Sequence, residues 1–81
     1  MREHEFTLIL TIEPSEDEAD KLYSVFDDGT ISTIAGVPQI AFHRRAGSLE
    51  EAIRNAIGDV QKAGFVVARV EMEPGAVLQS A

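Results

Sequence analysis

The sequence holds no cysteine and no tryptophan, and only one tyrosine and four phenylalanines. Without cysteine there is no disulfide, no thiolate nucleophile and no cysteine-ligated zinc or iron–sulfur site. Basic residues are scarce: seven Lys and Arg against 14 Asp and Glu leave a formal net charge of −7. A chain so charged repels nucleic acid and anionic lipid as a whole, and only a local basic patch overrides that. No apolar run approaches the ~20 residues of a membrane-spanning helix. The start, "MREHEF", lacks the basic-then-apolar layout of a signal peptide. No glycine-rich phosphate loop follows a strand, and no serine sits in an elbow motif. These absences give the expectation of a cytoplasmic protein that engages no membrane and, by this chain alone, no nucleic acid.

What is present is periodicity. In "HEFTLILTIE" (4–13), Phe6, Leu8, Leu10 and Ile12 alternate with Glu5, Thr7, Ile9, Thr11 and Glu13, the pattern of a strand with one buried face. Ser15 and Glu18 then form a capping box, and Ala19, Leu22, Tyr23 and Phe26 follow at helical spacing. "DDG" closes that helix. "TISTI" and "QIAFHR", joined through "AGVP", predict a hairpin whose second arm puts Ile40 and Phe42 on one face and Ala41, His43 and Arg45 on the other. Ser48 and Glu51 predict a second capping box. Leu49, Ala52, Ile53, Ala56, Ile57 and Val60 give the second helix a broad apolar stripe, and Gly64 supplies its left-handed cap. "FVVARVEME" (65–73) predicts a last strand with Val66, Ala68, Val70 and Met72 facing inward and Phe65, Val67, Arg69 and Glu71 outward.

Strand, helix, strand, strand, helix, strand is the split βαβ order. Right-handed crossovers then predict an α+β, ferredoxin-like domain over 1–74, with antiparallel sheet order 4-1-3-2 and two helices on one face. Residues 75–81 read as a flexible tail. The expected core is Phe6, Leu8, Leu10, Leu22, Phe26, Phe42, Ile53, Ile57 and Val70. With 81 residues, such a domain buries only ~60% of its unfolded surface, so association with a second copy adds useful stability.

The one basic run, His43-Arg44-Arg45, stands just before the clearest helix. Its plainest reading is a set of cross-strand charge pairs with Glu3 and Glu5 at the end of the sheet, with Arg44 snorkelling. A small anion or partner site beside the helix start is the functional alternative, although Glu50 and Glu51 oppose an anion there. A nucleic-acid contact is the third, but the outer face offers Thr7, Ile9, Thr11, Ala41 and Val67 in place of an aromatic platform. "VFDDGT" resembles the nucleophile loop of haloacid dehalogenase-type phosphatases but lacks the residue between the acids and follows a helix. "EPSEDEAD" lacks calcium-loop spacing. His4 and His43 point to opposite faces by parity, which excludes a shared metal. The expectation is no cofactor, no metal and no catalytic residue.

The segment "FHRRAGSLEEAIRNAIGDVQKAGFVVARVEMEP" (42–74) resembles small uncharacterised bacterial proteins whose longer members continue into a helix-turn-helix-like segment. It is more weakly similar to HicB-type antitoxins. Both resemblances imply a regulatory or interaction module, and neither brings catalytic residues. The functional expectation is therefore a non-enzymatic dimerisation module, a homodimer with a possible protein partner. The alternative is a small-molecule sensor with its ligand at a subunit interface. The expected contact residues are Ile9, Ala41 and Val67 on the sheet face, Ser32 on an edge strand, and His43, Arg44 and Arg45 at the rim.

Overall fold

A computed structural model of the chain describes residues 2–73; the proposed tail, 75–81, lies outside them. The elements follow the expected order: β1 (Arg2–Leu10), α1 (Glu16–Val25), β2 (Gly29–Ile34), β3 (Val37–Ala46), α2 (Leu49–Lys62) and β4 (Val67–Glu71). The strands form one antiparallel sheet ordered β2-β3-β1-β4, which is 4-1-3-2 read from the other edge. This is the α+β architecture of a ferredoxin-like βαββαβ domain.

Each element follows from its local chemistry. Ser15 Oγ accepts from the Glu18 backbone N–H while Glu18 Oε1 accepts from the Ser15 N–H, closing the capping box that starts α1. At α2 only half of the expected box forms: Ser48 Oγ accepts from the Glu51 N–H. The hairpin between β2 and β3 turns on two residues, Ala35 (φ 52°) and Gly36 (φ 78°), whose positive φ values match the right-handed twist of the flanking strands. Gly64 (φ 92°) ends α2 in the left-handed region. Gly29 is required for packing. A Cβ there would come within 2.9 Å of the rings of Phe26 and Phe42.

The core lies between the sheet and the helices. Phe6, Leu8, Leu10, Leu22, Phe26 and Phe42 are buried as expected, joined by Ile40, Ala52, Ala56 and Val60. Ile53, Ile57 and Val70 only pack partly buried against it. Phe26 and Phe6 flank Phe42, with ring centroids 4.9 and 5.5 Å away.

Two sequence expectations fail at the chain's turning points. β1 runs 2–10, not 4–13, and Ile12, expected inward, is 60% exposed past its end. In β4 the inward set is different. The register steps from Ile9 opposite Arg69 to Leu10 opposite Val67, so one extra residue bulges from β4 there. The bulge inverts alternation upstream of it: Phe65 is buried, Val67 packs on the core, and Val66 is 61% exposed, while Val70 and Met72 face inward as expected. Tyr23, placed in the apolar stripe of α1, is exposed because its hydroxyl serves β2 instead.

Candidate functional site

Strand alternation divides the basic triplet. β3 faces the core with Ile40, Phe42 and Ala46, and Arg44 lies on the same side by period two. Its side chain is only 12% exposed. Arg44 Nε and Nη2 donate to Asp28 Oδ2 and Oδ1 at 2.7 and 2.9 Å, a bidentate pair, and Nη1 donates to Asp59 Oδ2 at 2.9 Å. The guanidinium also stands 5.1 Å from the centroid of the Phe42 ring. Arg44 thus ties β3, the α1–β2 turn and α2 together. The Arg44 hydrogen bonds hold the Asp28 carboxyl below the usual carboxylate range, and the Asp28 bond is the main reason that the Arg44 guanidinium is raised above its ordinary value. This residue is a structural clamp and not the snorkelling surface charge expected. It therefore leaves the proposed rim.

His43 and Arg45 point outward as expected. His43 Nδ1 lies 3.0 Å from Glu5 Oε1 and 3.8 Å from Glu3 Oε1, all three side chains more than half exposed. Arg45 lies opposite Glu3 in the register. His43 itself lines neither of the two cavities described below, although its neighbour Glu5 lines the first. His4 occupies the inner face opposite Arg44, 6% exposed, and its Nε2 has no hydrogen-bond partner among the described residues. The two histidines face opposite ways, as parity predicts. No group of three or more His, Asp or Glu among the described residues is arranged to hold a metal ion.

The sheet edges differ from each other. β2 is an edge strand, as expected, and Ser32 lies on it. Tyr23 of α1 guards that edge. The His43 N–H donates to the Asp28 carbonyl on the β2 side, so by period two Ile31 presents its N–H away from β3, and there it donates to the Tyr23 hydroxyl at 2.9 Å. The Thr33 hydroxyl donates to Glu13 Oε1 nearby. Sequence reasoning found no charge or proline to block this edge because the blocking groups come from α1 and its leading loop. On the opposite side, β4 pairs only with Thr7–Leu10 of β1.

The outer sheet face is less available than expected. Ile9 is 3% exposed although it faces away from the core, and it is not part of the core cluster. Ala41 is half-buried on the same face, while Val67 has turned inward at the bulge. The three residues proposed as one contact face therefore do not form one. An open cleft of about 400 Å³ is lined by Glu5, Thr7, Gln39, Glu71 and Glu73 together with the core residues Phe6 and Phe42 and with Met72.

A second cavity, about 460 Å³, was legible in the sequence only as part of a core stripe. The described residues lining it all belong to α2: Leu49, Ile53 and Ile57 form its almost wholly apolar floor, and Glu50 and Arg54 its rim. Core positions Ala52, Ala56 and Val60 are fully buried, whereas Leu49, Ile53 and Ile57 at the next helical offset are partly buried against the core. A stripe broader than the sheet can cover, six positions in one helix, was the signal. Among the described residues no helix is long and apolar enough to cross a membrane. Comparison of the chain with protein-family models, curated proteins and solved structures finds no match.

Proposed function

We propose that this chain is a non-enzymatic protein-interaction and dimerisation module with a regulatory or antitoxin-like role in the bacterial cytoplasm. The observation that carries the reading is the partly exposed apolar groove of α2. Leu49, Ile53 and Ile57 leave a cavity with almost no polar lining on an otherwise acidic domain. Apolar surface rimmed by charge is what an association site offers. The resemblance of segment 42–74 to small uncharacterised bacterial proteins, whose longer members continue into a helix-turn-helix-like segment, is in keeping with the same class. His43 stands open to solvent beside Glu3 and Glu5 and lines neither cavity, whereas an acid–base residue is held in a cleft.

Sedimentation equilibrium of the wild-type chain tests the reading. Self-association at micromolar concentration supports it, and a monomer that persists at high micromolar concentration refutes it. The regulatory part is tested by co-purification with the product of the adjacent gene in the native host.

A second reading, a small-molecule sensor, is favoured by the cleft bearing Glu5, Glu71 and Glu73. Its volume falls within the ~300–1,000 Å³ of ligand pockets, and three carboxylates suit a small cationic ligand. A thermal shift with diamines or cationic amino acids that is lost in Glu71→Gln supports this reading, and no shift removes it.

A further inference from the structure

We infer that the α2 groove is filled by the same groove of a second copy, the two α2 helices lying antiparallel about a two-fold axis at Ile53. The inference rests on the dimerisation reading above and names its surface.

The spacing of the groove residues is self-complementary. Leu49, Ile53 and Ile57 fall at i, i+4 and i+8, one continuous ridge along a helix of 14 residues. A two-fold axis through Ile53 sets Leu49 against the second copy's Ile57 and Ile53 against the second copy's Ile53. Each groove then receives the ridge of the other, the isologous arrangement that closes a dimer.

The rim is self-complementary in charge. Glu50 and Arg54 lie on one flank of that ridge, ion-paired at i, i+4 with both side chains more than three-quarters exposed. In the antiparallel pair the same flanks of both helices meet. Glu50 then lies within two residues, ~3 Å of helix rise, of the level of the second copy's Arg54, and the reciprocal pair forms likewise. A parallel two-fold pair brings unlike flanks together, so Glu50 and Arg54 of one copy do not meet those of the other and no rim pair forms. The rim therefore selects the antiparallel orientation.

The competing surfaces are weaker. The β2 edge is guarded by the Tyr23 hydroxyl. Pairing β1 with β1 along the stretch that β4 leaves uncovered would set Glu3 opposite Glu5. A single helix pair lies at the small end of protein interfaces, below about 1,200 Å², so dissociation in the micromolar range is expected.

The test is sedimentation equilibrium at low salt with four proteins, their folding checked by circular dichroism. Ile53→Glu is expected to raise the dissociation constant at least ~100-fold, since it buries two carboxylates at the axis. Glu50→Arg and Arg54→Glu, both at exposed positions that tolerate substitution, are each expected to weaken their own homodimers about tenfold through two like-charge contacts. Mixed one to one, they are expected to form a heterodimer as tight as wild type, because every facing pair is then of opposite sign. That recovery cannot come from the Glu50–Arg54 pair within one helix, which both variants lack. A wild-type dimer that survives Ile53→Glu, or single variants that gain nothing on mixing, overturns the α2 interface and leaves the dimerisation reading standing. A wild type that is monomeric overturns both.

Discussion

Arg44→Ala is the substitution most sensitive to the architecture described here. It removes three charge-assisted hydrogen bonds, to Asp28 twice and to Asp59 once. It also removes the apolar stem of the arginine and its contact with Phe42. Exposed ion pairs contribute ~0–1 kcal/mol, and breaking a buried one costs ~3–5. The Arg44 side chain is 12% exposed, while Asp28 and Asp59 are 25% and 29% exposed. Both carboxylates can rehydrate once abandoned, so the cost falls between those limits, at about 2–3 kcal/mol. Total stability for a chain of this length is ~4–12 kcal/mol, so the loss is a large share of it. With a urea slope near ~1 kcal/mol per molar for a small domain, the midpoint falls by ~2–3 M. Arg44→Lys keeps the charge but not the planar fork that engages both Asp28 oxygens, and it is expected to lose about half as much.

The same clamp carries a pH signature. Arg44 holds the Asp28 carboxyl below its ordinary range. In acid the unfolded chain therefore binds a proton at this position that the folded chain still refuses. The stabilisation is fully present above the unfolded value, about 3.9, and is lost as pH falls through the folded one. Urea titrations from pH 7 to pH 2 are expected to show a flatter acid limb in Arg44→Ala than in wild type, with the two converging at the acid end. Asp28→Asn combined with Arg44→Ala is expected to cost clearly less than the sum of the single changes. A loss below about 0.5 kcal/mol in Arg44→Ala, or strict additivity with Asp28→Asn, refutes the clamp.

Three further substitutions probe packing, each read by the same urea denaturation at pH 7. Gly29→Ala is expected to cost about 1–3 kcal/mol, since its Cβ meets the Phe26 and Phe42 rings and Ile40 within 3.0 Å; no loss would mean that the aromatic cluster yields freely. Gly58→Ala is expected to stabilise the monomer by about 0.5–1 kcal/mol because its surroundings are open. His4→Leu is expected to be neutral or stabilising by about 1 kcal/mol, because Nε2 is buried without a partner; a marked loss would reveal a hydrogen bond that the described residues do not supply.

The fold was legible because six short elements each carried their own period and caps. Ser15 with Glu18, Gly64 and the alternation of Phe6, Leu8 and Leu10 needed no tertiary information. The misreadings have one physical origin: alternation in a strand is reliable only while its register is regular. The bulge in β4 inserts a residue, so Phe65 and Val67 exchange faces with Val66, and nothing within "FVVARV" marks the step. The bulge follows from where Leu10 meets Val67 across the sheet, a relation between segments 57 residues apart (67 − 10). Tyr23 misled for a related reason. Its spacing fits the apolar stripe, but its hydroxyl has a use that only the position of β2 creates.

The basic triplet shows how far parity alone reaches. Period two already assigned His43 and Arg45 to one face and Arg44 to the other, the face of Ile40 and Phe42. What parity could not supply was a reason for a guanidinium to enter a core. That reason lies in two carboxylates far off in sequence, Asp28 in the turn after α1 and Asp59 in the last turns of α2. The pair "DDG" therefore divides its work: Asp28 meets Arg44, and the glycine beside it makes room for the Phe26 and Phe42 rings. Once Arg44 is committed to the interior, the outward remainder is His43 and Arg45 among Glu3 and Glu5, exposed side chains at the end of the sheet that line neither a deep nor an apolar site. The apolar surface that the domain does not cover for itself lies elsewhere, along α2. There a helix stripe of six positions meets a sheet that covers the Ala52, Ala56 and Val60 side fully and the Leu49, Ile53 and Ile57 side in part. The proposed interaction role thus rests on the mismatch between helix and sheet, not on the charged run that first draws attention.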